Sequence, residues 1–327
     1  MSNGLLTTAV GSYPKPDYIT RARGRFQRGQ IGAEELTELE KQATAHWIDI
    51  QERLGMDVVV DGEMYRGDMV AYFAENMSGF TNSGLVRSYG NRYYRKPIAT
   101  GPVGRDKEVT VDWWRYAQSL TDKPVKGMLT GPYTIVDWSF NEYYPTREAF
   151  LMDMARVVHE EAVDLVKAGA RYIQIDEPAL SVRPEEMEMA AKAFAIVTDG
   201  LDAFTITHIC YGDFAAVFPH LANFPVDMLD METTNSGYDF LDLIRGYPSF
   251  DKYVSMGVVD VHSHVVESLD KVKSGIRMGL EVLSPDKLFI DPDCGMKTRT
   301  EEECVAKLQV ISDAVREVKQ ELGLGLG

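Results

Sequence analysis

Cysteine is scarce in this chain. There are three in 327 residues, Cys210, Cys294 and Cys304. That excludes a disulfide framework, and an odd, small number of thiols fits a reducing cytoplasm, where each is free, metal-bound or catalytic. Positive charge is also short. Lys and Arg total 34 against 50 acidic residues, for a formal net charge of −16, the reverse of the basic footprint of nucleic-acid binders. An anionic membrane surface is disfavoured for the same reason. No stretch approaches the roughly 18 consecutive apolar residues of a membrane span. The opening MSNGLLTTAVGSYPKP lacks the basic and apolar regions of a secretory signal. Linkers, repeats and low-complexity tracts are missing too. The expectation is a cytoplasmic protein with neither nucleic-acid nor membrane partners.

What is present is ordinary globular composition, 45% hydrophobic and 26% charged. Short apolar runs recur at 5–11, 57–63, 124–131, 171–178, 204–211, 226–233, 253–260 and 287–294. Each is near-continuously apolar, as strands buried on both faces are. Amphipathic helical patterns lie at 34–54, 147–168, 185–199, 239–246, 268–283 and 301–322. Eight strands alternating with helices predict an α/β fold, a single (β/α)₈ TIM barrel filling residues 1–327 as one catalytic domain. The stretch 78–112, rich in Gly, Tyr and Arg, is long for a strand-to-helix connection and is expected to be an inserted hairpin region.

Polar residues gather where the apolar runs stop. Gly11 and Ser12, Asp61 and Glu63, Asp176 and Glu177, His208 and Cys210, Glu232, Asp260 and His262, and Asp291 to Cys294 all stand at strand C-terminal ends. In a barrel that end carries the active site. In TITHICYGDF, His208 and Cys210 are two apart, so on a strand they share a face. With Glu232 and Cys294 they supply one nitrogen, two sulfurs and one oxygen, a donor set that suits zinc better than magnesium or calcium. The bland alternative stands beside it: a buried Cys is ordinarily a small hydrophobe, and a lone His a hydrogen-bonded core residue. Cys304, inside a helical pattern, reads as core. His262 and His264 form an H-x-H pair of a kind found in metal hydrolases, whose sites make no use of two thiols. Arg21, Arg23, Arg25 and Arg28 read as a solvated helix face. Tyr89, Tyr93, Tyr94, Trp113 and Trp114 either stack on a flat ligand or pack the insertion.

Taken together, TTAVGSYPKP, DGEMYRGDMVAYFAEN, RSYGNRYYRKP, KGMLTGPYTIVDWSF, QIDEPAL, HICYGDF and DPDCGMKTR resemble the C-terminal catalytic barrel of cobalamin-independent methionine synthases. The motifs run from residue 7 to residue 299, nearly the whole chain. The resemblance implies a homocysteine S-methyltransferase of methionine biosynthesis. It implies zinc on His208, Cys210, Glu232 and Cys294. It implies a homocysteine or methionine pocket of Val10, Gly11, Ser12, Glu63 and Asp176. On the methyl-donor side it implies Arg92, Tyr93 and Trp138, and it makes His262 the general acid.

Three departures accompany the resemblance. The chain starts at what is the second barrel of the long enzymes, with no N-terminal barrel for the folate tail. Val182 stands where the family carries a folate-contacting glutamate, and His264 where a proline is usual. The short form resembles single-barrel "core" methionine synthases, so the expected donor is methylcobalamin or another methylcorrinoid, with a corrinoid methyl-carrier protein as partner. The alternatives are 5-methyltetrahydrofolate as donor, or a related zinc-dependent thiol alkyltransferase with another acceptor. The leaving group separates the first two. A folate amine leaves only when protonated and needs an acid such as His262, whereas cob(I)alamin needs none.

Overall fold

The computed structural model describes residues 4–87, 93–210, 212 and 214–325. The fold is α/β. Its strands are β1 (Leu6–Thr7), β2 (Ser78–Arg87), β3 (Tyr93–Gly104), β4 (Lys126–Thr130), β5 (Phe140–Asn141), β6 (Tyr172–Asp176), β7 (Phe204–Ile209), β8 (Met228–Met231), β9 (Tyr253–Gly257) and β10 (Leu288–Asp291). Two compact units divide the chain. One comprises Met1–Tyr65, Trp113–Lys126 and Met228–Gly327, and the other Arg66–Asp112 and Gly127–Asp227.

In the first unit, β1, β10, β9 and β8 pair in that order, all parallel. Their bodies are apolar: Val254, Met256, Leu288, Ile290, Leu229 and Met231 are buried, as strands covered on both faces require. Helices follow them, including Ala33–Arg53, Leu269–Leu280 and Glu301–Leu322. The last of these begins with a reciprocal cap. The Thr300 hydroxyl accepts from the Glu303 amide, and Glu303 accepts from the Thr300 amide.

In the second unit, β7, β6 and β4 are neighbours in that order, with β6 and β7 parallel. Helices Arg147–Ala168 and Met187–Thr198 accompany them. The expected insertion is present as an antiparallel hairpin of β2 and β3, with β5 added to its edge. A bulge between Asn82 and Leu85 shifts its register.

Of the eight expected parallel strands, 57–63 is not a strand among the described residues. It makes two isolated bridges, Val59 to Val125 and Gly62 to Ser12. The reason is a side chain. Gln51, fully buried on its helix, donates to the Val60 carbonyl at 2.8 Å and accepts from the Val60 amide at 2.9 Å. Both backbone groups that would extend a ladder are thereby taken, and Gly62 and Glu63 then turn the chain with positive φ. Of the arginines expected to form a solvated helix face, Arg21, Arg25 and Arg28 are exposed, and Arg23 departs from it. Arg23 points inward to Glu40 at 3.0 Å and to the Met64 carbonyl at 2.7 Å.

Replacing Gln51 with Leu should leave the buried Val60 amide and carbonyl unpaired. The expected loss is about 1–3 kcal/mol of stability, read as a lower urea midpoint with an unchanged slope.

Candidate active site

In the second unit, the apolar run FTITHI carries β7 to its end and presents His208 and Cys210 together. Both side chains are buried, and their ligand atoms lie within 4.8 Å of each other. The β6 end supplies Asp176, which accepts from Gln174 Nε2 at 2.8 Å. Beside it, Glu177 is the hub of this unit. Its carboxylate accepts from the Tyr133 amide at 3.0 Å and from the Thr134 amide and hydroxyl, each at 2.7 Å. Its own amide donates to the His208 carbonyl at 3.0 Å. A Cβ at Gly131 would lie 2.1 Å from the Glu177 carboxyl carbon, so only glycine fits. Burial pushes the Glu177 carboxyl up to about 7, against hydrogen bonds that pull it down. Glu177 thus ties the start of helix Pro132–Asp137, and with it half-buried Trp138, to the strand end that bears His208.

In the first unit, Val10, Gly11 and Ser12 are buried just after β1. The Ser12 carbonyl accepts from the Met296 amide at 2.7 Å, and Tyr13 donates to the Gly62 carbonyl at 3.2 Å. Ser12 therefore touches both the turn of Glu63 and the loop that follows Cys294. Glu63 has φ of 58°, a strained value for a residue with a side chain. The Asp61 carboxylate holds it there by accepting its amide at 2.8 Å. Glu232, buried after β8, accepts from Asn235 Nδ2 at 2.9 Å, and His262 Nε2 lies 3.6 Å from its Oε1. Asp293 repeats the role of Glu177. It accepts the amides of Thr233 and Thr234, each at 3.0 Å, and the Thr234 hydroxyl, while burial pushes its carboxyl up to about 6. Cys294, half-buried, follows it directly.

Several expected residues fall elsewhere. Tyr93 is exposed on the hairpin. Arg92 and Tyr89 lie outside the described residues, as does the Tyr94 side chain. His264 turns to Glu303 at 2.7 Å while His262 faces Glu232 at 3.6 Å, so the two imidazoles of the H-x-H pair are directed at different acids. Cys304 is fully buried against the Met296 carbonyl, its thiol pushed up to about 12 by burial, and belongs to the core. Sequence places Glu177 and Asp293 among the polar residues at strand ends without giving either a role, and it does not single out Gln51. The only signal for the first two was a second acid beside Asp176 in DEP and beside Asp291 in DPD.

Residues 5–317 match the family described as the catalytic domain of cobalamin-independent synthase, and the chain belongs to that family. A 5-methyltetrahydropteroyltriglutamate–homocysteine methyltransferase of Mycobacterium leprae is 41% identical over 96% of this chain; the match spans 43% of that protein, so the chain is about half its length. A methionine synthase of Saccharolobus solfataricus is 37% identical, over 97% of this chain and 96% of its own. Among solved structures, a B12-independent methionine synthase from Shewanella sp. W3-18-1, in complex with selenomethionine, superposes with a TM-score of 0.85. It is 28% identical and covers 98% of this chain and 99% of its own.

These findings correct the donor expected from sequence. Methylcobalamin is overturned by membership in a cobalamin-independent family, and the corrinoid carrier protein falls with it. That expectation rests on what the sequence lacks, an N-terminal barrel and an acid at position 182. A residue type able to protonate a leaving amine, His262, is present in the turn after β9.

The Glu177→Gln variant should lose about 1–3 kcal/mol, because its amide nitrogen would face the Tyr133 or Thr134 donors. The sign with pH follows from the raised carboxyl. Its contribution is complete below the ordinary value near 4.5 and is lost as pH rises through about 7. Chemical denaturation between pH 4.5 and 7 should show that slope in the parent and not in the variant.

Proposed function

We propose that the chain catalyses transfer of the methyl group of a 5-methyltetrahydropteroylglutamate to the thiol of homocysteine, yielding methionine. The observation that carries this reading is the buried His208–Cys210 pair at the end of β7 in a chain of this family. The finer fold reading belongs with it: a single closed (β/α)₈ domain with 57–63 as its second stave, supported by the bridges of Val59 and Gly62.

The soft nitrogen and sulfur donors fit zinc, and Glu232 and Cys294, at the ends of β8 and β10, complete the proposed ligand set. Bound there, zinc would favour the thiolate form of the substrate, the nucleophilic form of sulfur. The chain's own residues do the rest. The amides around Gly11 and Ser12 receive the homocysteine carboxylate, since glycine lets the backbone come close. Glu63 and Asp176 hold the ammonium. Glu63 is preset by Asp61 and Asp176 by Gln174, so little ordering is left for the moment of binding. The substrate sulfur attacks the methyl carbon in line, the bond from methyl to folate nitrogen breaks, and the electron pair goes to that nitrogen. His262 delivers the proton that makes it a competent leaving group. Trp138, with Arg92 and Tyr93, forms the donor side, where an aromatic face suits a flat pterin.

The test is methionine formation by zinc-loaded protein from homocysteine and methylfolate, as mono- and triglutamate, in parent and Cys294→Ser chains. The parent should form methionine. The variant should retain its circular dichroism and lose bound zinc. Its turnover should fall by more than about 100-fold, since even outer partners of a metal site are worth roughly 10–100-fold. Undiminished turnover in metal-free Cys294→Ser would overturn the mechanism.

A further inference from the structure

The loop between β9 and helix Leu269–Leu280 has no helix or strand of its own, yet it carries His262. Something must hold it. A proton donor displaced by about 1 Å loses much of its effect. The loop is fastened from outside, by the helix Glu301–Leu322.

Lys307, on the second turn of that helix, has a side chain 0% exposed and meets Glu267, 4% exposed, at 2.8 Å. The same ammonium donates to the Val265 carbonyl at 2.6 Å. The other oxygen of Glu267 accepts the Asp260 amide at 3.0 Å, and the Asp260 carboxylate accepts the His262 amide at 2.7 Å. A continuous chain of bonds thus runs from a buried lysine on the helix to the backbone of His262. One turn earlier on the helix, Glu303 binds His264 of the same loop.

A buried ion pair is a poor device for stability alone. Desolvating two charges costs about what their attraction returns, and apolar replacements of the same shape are often neutral or better. A pair that closes on a loop backbone does something an apolar pair cannot, because it sets direction. Val261 is buried just before His262, but Val265 and Val266 after it are exposed, so the far half of the loop has little apolar anchorage and rests on these polar bonds.

We propose that Lys307 and Glu267 are positioning residues for methyl transfer. They hold the 260–267 loop so that the His262 imidazole meets the leaving folate nitrogen. The inference rests on the reaction proposed above and adds the residues that make His262 effective.

The experiment compares two methyl donors on zinc-loaded protein. Methylfolate needs a proton on its leaving nitrogen. Methyl iodide, whose iodide leaves without one, does not. Lys307→Met, Glu267→Gln and the double variant, in which no unpaired buried charge remains, are measured beside His262→Ala. The positioning variants should lose about 10- to 100-fold in kcat with methylfolate, with the KM for homocysteine and the zinc content unchanged. Transfer from methyl iodide should stay within about twofold of the parent, and amides 260–267 should exchange hydrogen faster while β9 does not. His262→Ala should show the same split between donors. Equal losses with both donors, or no loss in the folded double variant, would overturn the assignment. A parent protein that methylates homocysteine from iodide and not from folate would instead overturn the underlying reaction, and the assignment with it.

Discussion

Carboxylates that accept backbone amides are the interaction on which this structure depends. Parallel strands of apolar residues can pair and pack, but they leave irregular chain at their ends, and irregular chain has amide groups to satisfy. Here acids standing at the strand ends do it. Asp61 takes the Glu63 amide, Glu177 those of Tyr133 and Thr134, Asp293 those of Thr233 and Thr234, and Asp260 that of His262. Each acid sits on or beside a residue with a proposed chemical role, so the bonds that complete the fold also aim the site. Charge-assisted hydrogen bonds of this kind are roughly twice as strong as neutral ones, and that is why short loops can be held without a strand or helix to stiffen them.

The same arrangement explains how so acidic a chain can present nitrogen and sulfur donors. Two acids next to these donors along the chain or by a backbone bond, Glu177 and Asp293, are each engaged with three amides and hydroxyls. They serve as struts. The thiols and imidazoles, flanked by apolar strand bodies, are left as the soft donors. A thiolate-rich, electron-rich environment is what activation of a substrate sulfur demands, and a leaving folate amine demands in addition a proton source outside it. In the proposed reaction His262, partly exposed beside Glu232, is the residue assigned to that place.

Much of this was legible in the residues. The periodicity of 147–168 and 301–322 gives helices with those bounds, and His208 and Cys210 stand side by side as a period of two requires. The bridges at 57–63 were not legible, because a single glutamine on a preceding helix takes the backbone groups of Val60. Nothing local announces such a partner. Helix Phe214–Leu221 was hidden by its shortness and by Pro219 within it. The struts Glu177 and Asp293 were visible as acids but not as struts, since what they accept lies 43 to 60 positions away. The methyl donor was misread for a different reason. The absent N-terminal barrel and the acid absent at Val182 outweigh the residue present at 262 in that reading, and what is missing defines no chemistry.

The central claim is that His208, Cys210, Glu232 and Cys294 hold a zinc ion to which homocysteine brings its sulfur. X-ray absorption at the zinc edge, before and after homocysteine is added, tests it most directly. The account predicts a shell with two sulfur scatterers in the loaded protein and three once the substrate is bound. A shell of nitrogen and oxygen alone, or one that homocysteine leaves unchanged, would contradict it.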